Sequence, residues 1–309
     1  MTETAPAAAS APSPSPTPAP TVGHVDRVRV TFPRVVRSEW IKLRTLRSTV
    51  WCLALIIVLA AGVSLLVAAV IPSTSAGTAE AQRSLQVTVG TAGLGLAQLI
   101  AAILGVLIIT GEYSTGMIRS TFAAVPKRIP ALLAKALVLA VSTFVVAVVS
   151  IAISALTTAP ILSGKGLGNH LGDGDVLRPL LGGAVYLMLI AVLAFTFGAI
   201  IRVSAGGIAA ILGLVLVAPG ILQLISSLAQ VKWLSNVAAF LPSQAGAKMY
   251  AFDATSSSAA ALGGRRAVEA AASTSGTVDL NSWQGLLVVL AWVVVGIIVS
   301  LILVKRRDA

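Results

Sequence analysis

Long apolar runs without a charged residue near their centres constrain this chain more than any other feature of its sequence. An α-helix rises about 1.5 Å per residue, so a run of about 20 apolar residues crosses a hydrocarbon layer about 30 Å thick. Only 11% of the residues are charged, whereas soluble domains have about 25%. The sequence therefore predicts an all-α polytopic membrane protein with six transmembrane helices and no large soluble catalytic domain. The predicted spans are 50–71, 85–110, 131–156, 180–201, 206–229 and 283–304.

The N-terminal region differs from the rest of the chain in composition. Ala, Pro, Ser and Thr dominate it, and Pro occupies every second position from Pro12 to Pro20. Such a sequence cannot bury a core and favours extended conformations. We predict a disordered Ala/Pro/Ser/Thr-rich cytoplasmic tail over 1–31 and a six-helix transmembrane domain over 32–309. The tail lacks the basic start and apolar stretch of a secretory signal peptide, so we expect it to be retained.

Segment 32–49, which precedes the first span, has helical periodicity. Apolar residues form a stripe along one face, Glu39 and Arg47 interrupt it, and cations lie elsewhere around the helix. This pattern predicts an amphipathic helix in the headgroup region, with its cations towards anionic lipid. An ordinary basic flank of the first span is the alternative. The stripe consists of Val36, Trp40 and Leu43, and the cations are Arg37, Lys42 and Arg44.

The distribution of Lys and Arg predicts the orientation of the chain. With six crossings, 15 of the 22 basic residues fall on the side of the termini and 7 on the other side. Because basic residues are enriched in cytoplasmic loops, both termini are expected to be cytoplasmic. The net charge of +11 thus reflects membrane topology. Nucleic-acid binding would need a basic groove with stacking aromatic residues, and we expect no nucleic-acid partner.

No catalytic or metal-binding signature is present in the sequence. Walker A, HExxH, GxSxG and SxxK motifs are absent, and His24 and His170 are remote from any ligand cluster. We therefore expect no enzymatic activity and no cofactor in this chain. The absence of charge near the middle of the spans argues against a proton-coupled carrier, while sodium coupling through hydroxyls and carbonyls stays open. Pro219 in the fifth span predicts either a hinge or a static kink.

Segment 111–135, GEYSTGMIRSTFAAVPKRIPALLAK, directly follows the second span. It resembles the cytoplasmic signature of ABC-2 type ABC-transporter permeases, in which an acid is followed by a Gly, a basic residue, a Pro, a basic pair and then a Lys that opens the third helix. The basic helix before the first span resembles the elbow helix of that family, and 240–246 resembles a segment common before its last helix. The matching positions are Glu112, Gly116, Arg119, Pro126, Lys127, Arg128 and Lys135.

The resemblance implies a function for the segment between the second and third spans. In that family this region is the coupling helix that docks on a separate cytoplasmic ABC ATPase, so 114–126 would have that role here. Glu112 is expected to pair with a nearby cation such as Arg37, Arg44 or Arg119, or with the partner. The alternative is a solvated basic loop without a docking function.

The resemblance also implies a fuller picture of the protein. It would be the permease subunit of an exporter in the bacterial plasma membrane, working with a second copy or a homologous permease in the lipid bilayer, while its ATPase partner binds ATP and Mg. The absence of midplane charge suggests an apolar or amphipathic cargo. The apolar first part of the loop 230–282 would form short re-entrant helices or an outer-surface anchor, and 250–277 is predicted to be mobile. An ion-coupled secondary carrier and a non-transporting membrane anchor or immunity protein are the alternatives.

Overall fold

The computed structural model describes residues 31–72, 78–117, 128–229, 232–252 and 278–306. Within these ranges the chain is helical and contains no strand. The predicted disordered tail lies outside the described residues apart from its last residue. Most of the predicted mobile loop, and the greater part of the predicted coupling segment, also lie outside them.

Six helical segments are long and apolar enough to cross a membrane, which confirms the six predicted spans. The protein is therefore a multi-pass membrane protein. The spans are Arg47–Val70, Ala79–Ser114, Ile129–Gly164, Gly174–Ile201, Ser204–Ala229 and Ser282–Arg306. The described helices are α1 (Phe32–Thr45), α2 (Arg47–Val70), α3 (Ala79–Thr91), α4 (Leu94–Ser114), α5 (Arg128–Gly164), α6 (Gly174–Ile201), α7 (Ser204–Leu212), α8 (Ala218–Ala229), α9 (Lys232–Ala239), α10 (Pro242–Met249) and α11 (Ser282–Arg306).

The second, third and fourth spans extend beyond their predicted bounds. α5 has 37 residues and continues through Pro160 to Gly164, although the apolar pattern of the sequence ends near residue 156. Hydropathy reports only the part of a helix inside the hydrocarbon layer, whereas the helix continues until Gly or a capping residue ends it.

The second span is broken where it passes the first. α3 ends at Thr91 and α4 begins at Leu94. A Cβ atom added to Gly93 would lie 2.2 Å from the carbonyl oxygen of Ala60 in α2, so only Gly fits at this crossing. Close contact with the first span therefore determines which residue can occupy the break.

α6 is the central helix of the bundle. In its most apolar stretch 72% of the residues are buried, and it packs against α4, α5, α7 and α11. Small residues on α4 allow this contact: Ala97 and Ala101 are fully buried, and a Cβ atom at Gly105 would lie 2.1 Å from the carbonyl oxygen of Ala191. Gly213 in the fifth span differs, because nothing lies within 4 Å of a built Cβ atom there.

The fifth span is irregular just before its proline. A π-helical turn occupies Gly213–Val217, and α8 follows with Pro219 near its start. Pro219 has no N–H group to bond to the carbonyl of Val215, and its ring crowds the preceding turn. The structure thus has a π-helical turn directly before Pro219, while the predicted hinge or static kink at Pro219 stays a prediction.

Candidate functional site

α1 is amphipathic, as predicted, but its buried face differs from the predicted stripe. The buried residues are Val35, Glu39 and Leu43, and Trp40 is 37% exposed. Glu39, which interrupts the apolar pattern in the sequence, lies in the middle of the face that packs on α5. Glu39 can be buried on this face because Lys135 of α5 compensates the charge of its carboxylate.

Four charged side chains from three helices form a buried cluster, which we call the charge cluster: Glu39 and Lys42 of α1, Glu112 of α4 and Lys135 of α5. Lys42 Nζ lies 2.8 Å from Glu39 Oε1 and 3.2 Å from Glu112 Oε1. Lys135 Nζ lies 2.8 Å from Glu112 Oε1 and also donates to Glu39 Oε2. Each lysine therefore bridges both carboxylates, and the formal charges cancel.

Burial and charge act in opposite directions on the two α1 members of the charge cluster. Burial alone would raise the pKa of Glu39, but the ammonium groups of Lys135 and Lys42 outweigh it, so this pKa lies below the ordinary value. Burial alone would lower the pKa of Lys42, but hydrogen bonding to Glu39 and the charge of Glu112 raise it. Both residues are therefore charged at neutral pH.

The expected partners of Glu112 were partly wrong. It pairs with Lys42 and Lys135 and not with Arg37 or Arg44, whose positions on α1 are exposed and away from the buried face. Lys135 reaches the charge cluster although it lies two turns inside α5, because helical side chains point back towards the helix N-terminus. Arg119, the third expected partner, lies outside the described residues. Within the described ranges, Oε2 of Glu112 is buried and has no hydrogen-bond partner.

The end of α4 is also held on its other side, at the turn between α6 and α7. Ser204 Oγ donates to Thr110 Oγ1 over 2.9 Å. The Arg202 guanidinium lies over the Tyr113 ring, 5.2 Å from its centroid, in a cation–π geometry. Arg202 has φ +62°, a left-handed conformation that is uncommon for a residue other than Gly. Consecutive turns of α4 thus connect the charge cluster to the fourth and fifth spans.

The structure places the remaining predicted coupling residues only in part. Gly116 has φ +71° and follows the last turn of α4, so its role in the described chain is to end the second span. Arg128 begins α5. Pro126 and Lys127 lie outside the described residues. The structure therefore describes the start of the predicted coupling segment, 114–117, and not the rest of it.

The loop after the fifth span contains two short helices, α9 and α10. α10 packs closely against α6 and α11: a Cβ atom at Gly246 would lie 2.0 Å from the Tyr186 ring, and one at Gly285 would lie 2.3 Å from the carbonyl oxygen of Ala245. The Tyr186 hydroxyl donates to Gln98 of α4. These contacts place α10 against the central helix, while the choice between re-entrant helices and an outer-surface anchor stays a prediction.

Two members of the charge cluster were missed as site residues from the sequence. Glu39 was treated as an interruption of an apolar stripe, and Lys135 was noticed only as part of the motif. The available signal was an acid on the apolar face of a helix, since a buried carboxylate requires a partner, together with Lys42 three residues later. The partner of Glu39, 96 residues away in the sequence, could not be chosen among the basic residues without the fold.

Comparison with known proteins adds no relative. A scan against protein-family models finds no matching family, and a search of curated proteins finds no match. Among the described residues, no group of three or more His, Cys, Asp and Glu side chains could hold a metal ion. The fold and the charge cluster therefore define a six-span α-helical membrane protein with a buried ionic junction at one end.

Proposed function

We propose that this chain is the permease subunit of an ATP-driven ABC-2 type exporter in a bacterial plasma membrane, with both termini in the cytoplasm. The observation that carries the proposal is the charge cluster. It joins α1 to α4 and α5, the two helices that flank the predicted coupling segment. The cluster lies where a force on that segment would enter the membrane domain.

The contacts around α4 support a mechanical function. Removing one partner of a buried ion pair costs about 3–5 kcal/mol, so the ends of α1, α4 and α5 move as one unit. The Thr110–Ser204 hydrogen bond and the contact between Tyr113 and Arg202 extend this unit to the fourth and fifth spans. Displacement of the coupling segment by an ATPase would therefore move four of the six spans together, a rigid-body transition of a known kind.

The proposed division of labour follows from the sequence and the spans. The chain has no Walker A motif, so ATP and Mg would bind to a separate cytoplasmic subunit, and a second permease copy or a homologous permease would complete the transport route. In the most apolar stretches of the first, fifth and sixth spans, only 22%, 17% and 22% of the residues are buried. These spans therefore leave apolar surface for that second permease and for lipid. An apolar or amphipathic cargo fits spans without central charges.

A pull-down of the tagged chain from its native membrane in mild detergent, followed by mass spectrometry, tests the proposal. We expect a stoichiometric Walker-motif ATPase with the wild-type chain and its loss with Arg119→Glu. Arg306→Glu is the matched control, since it reverses one charge at the same side of the membrane but at the end of α11. It should retain the ATPase.

Self-association without an ATPase at any detergent stringency would overturn the proposal. The same result would favour the anchor or the ion-coupled carrier. An ATPase that is lost equally in the Arg119→Glu and Arg306→Glu variants would contradict the assignment of the coupling segment.

A further inference from the structure

A cavity of about 350 Å³ lies beside the charge cluster, between α1, the start of α2 and the end of α4. Its floor is apolar and includes the fully buried Leu104. Its edge includes two exposed apolar side chains, Leu46 at 52% and Met117 at 47%. Cys52, the single cysteine of the chain, lines one wall and is half-buried.

The polar end of the cavity is formed by the charge cluster, which is neutral as a unit. Lys42 is its most exposed member, with 28% of the side chain accessible. An ammonium group has three N–H donors, and the described contacts of Lys42 use two of them, to Glu39 and Glu112. One donor therefore remains for a ligand at the edge of the cavity.

The surroundings of the cavity carry excess positive charge. Arg44 lies in the last turn of α1 and Arg47 at the first position of α2, and both positions are exposed. Neither side chain lines the cavity, but each residue lies between two that do, so among the described residues two guanidinium groups stand beside the neutral charge cluster. Arginine binds phosphate groups with good geometry, so this region favours an anionic head.

We propose that this cavity binds one anionic phospholipid from the leaflet in which α1 lies. The phosphate accepts the remaining N–H of Lys42 and interacts with Arg44 and Arg47, and the start of one acyl chain lies on Leu104. The cavity volume is at the lower end of the range for small-molecule sites, about 300–1,000 Å³. It therefore takes the head and the first part of a chain, while the rest of the lipid stays in the bilayer.

This site differs from the general attraction of a basic helix to a charged surface. General attraction adds about 1 kcal/mol per basic residue and does not need a cavity. Here an apolar lining and a partly free ammonium group share one cavity, and Arg44 and Arg47 each lie in the chain between two of its lining residues. A lipid seated there would contact α1, α2 and α4 at once and would stabilise the docked position of α1 by binding only to that arrangement.

The native cysteine provides the test. The full chain is reconstituted in vesicles of phosphatidylcholine alone or of phosphatidylcholine with phosphatidylglycerol, and the rate of Cys52 alkylation by N-ethylmaleimide is measured. This reagent is neutral, so the surface charge of the vesicle does not change its local concentration. We expect alkylation several-fold slower with phosphatidylglycerol in the wild-type chain, and equal rates in both lipids for the Arg44→Gln/Arg47→Gln variant.

Two controls separate binding from other effects. Trp51→Cys in a Cys52→Ser background places the thiol one residue away, at a position that is 74% accessible and does not line the cavity, and its rate should change much less with lipid charge. Arg306→Gln removes a cation at the end of α11, a helix that does not line the cavity, and should keep the slow rate at Cys52. Circular dichroism verifies the helix content of each variant.

Equal Cys52 rates in both lipids for the wild-type chain, or the same slowing in the Arg44→Gln/Arg47→Gln variant, would overturn the proposal. Native mass spectrometry after transfer to detergent provides a second measurement that does not depend on thiol reactivity. Phosphatidylglycerol should stay bound to the wild-type chain and dissociate from the double variant. Retention by both, or by neither, would equally refute the site. These results do not depend on whether an ATPase binds the chain.

Discussion

Replacement of Lys135 by Met is the sharpest test of the charge cluster. Lys135 is 8% exposed as a side chain and contacts Glu112 at 2.8 Å. At that separation and an effective dielectric constant of about 20, the attraction is about 6 kcal/mol. Desolvation of the charges offsets part of it, so we expect Lys135→Met to lower the free energy of unfolding by about 3–5 kcal/mol. The variant leaves two buried carboxylates with Lys42 alone.

A double-mutant cycle with Glu39→Gln distinguishes a buried ionic junction from a general packing defect. The Glu39→Gln/Lys135→Met chain retains the Lys42–Glu112 pair and has no excess charge. It should therefore be more stable than Lys135→Met alone, by about 2 kcal/mol. Unfolding in detergent by denaturant titration, followed by circular dichroism, measures all four chains.

The Arg83–Asp173 pair at the other side of the bundle is the matched control. Its atoms are 2.7 Å apart, but the side chains are 33% and 38% exposed. Solvent screening limits such pairs, so Arg83→Met should cost less than about 1 kcal/mol. A Lys135→Met loss as small as that of Arg83→Met would refute the reasoning, as would a double variant whose loss equals the sum of the single losses.

Three further predictions concern pH, packing and a helix end. Glu39, whose pKa is lowered by folding, should contribute to the free energy of unfolding at pH values above its ordinary pKa of 4.5. This contribution should disappear as the pH falls through the pKa of Glu39 in the folded chain. Lys42, whose pKa is raised by folding, should contribute to the free energy of unfolding at pH values below its ordinary pKa of 10.5. This contribution should disappear as the pH rises through the pKa of Lys42 in the folded chain. The free energy of unfolding, measured as a function of pH, tests the contributions of both residues. Gly93→Ala should cost about 1–3 kcal/mol through overpacking against α2, whereas Gly95→Ala, with nothing within 4 Å of the added Cβ atom, should cost little in the same denaturant titration. Lys165→Met should cost about 1.5–3 kcal/mol in denaturant titration, because its ammonium group donates to the carbonyls of residues 68, 69 and 71 at the end of α2.

Each of these predictions has an outcome that contradicts it. An acid limb of the stability profile that is unchanged in Glu39→Gln would show that Glu39 does not titrate as inferred. Equal costs for Gly93→Ala and Gly95→Ala would mean that the first and second spans do not cross closely at Gly93. If Lys165→Met were as stable as the wild-type chain, Lys165 would not cap the end of α2 as inferred.

The sequence predicts the spans well because hydropathy acts locally. A run of apolar residues is read without knowledge of its neighbours, and all six runs became helices that can cross a membrane. Helix ends were less accurate, as the continuation of α5 through Pro160 shows. Residues that extend beyond the hydrocarbon layer carry no apolar signal, although the helix continues.

The charge cluster shows what local patterns leave out. Glu112 could be recognised as a pairing residue from its position after an apolar run, but its partners depended on which helix faces meet. The apolar pattern of α1 placed Trp40 on the stripe, while packing against α5 turned Glu39 inward. The Pro219 irregularity, by contrast, was predictable because a missing N–H group acts on the turn just before it.

The long separation between the members of the charge cluster sets an order for biogenesis. During synthesis, Glu39, Lys42 and Glu112 emerge before Lys135, which is 96 residues after Glu39 and 23 after Glu112. Until the third span is inserted, the two carboxylates share a single ammonium group, so α1 lacks its buried counter-ion and gains little by docking. Arrival of Lys135 completes the neutral set. We therefore expect docking of α1 to be completed only after the third span is in the membrane.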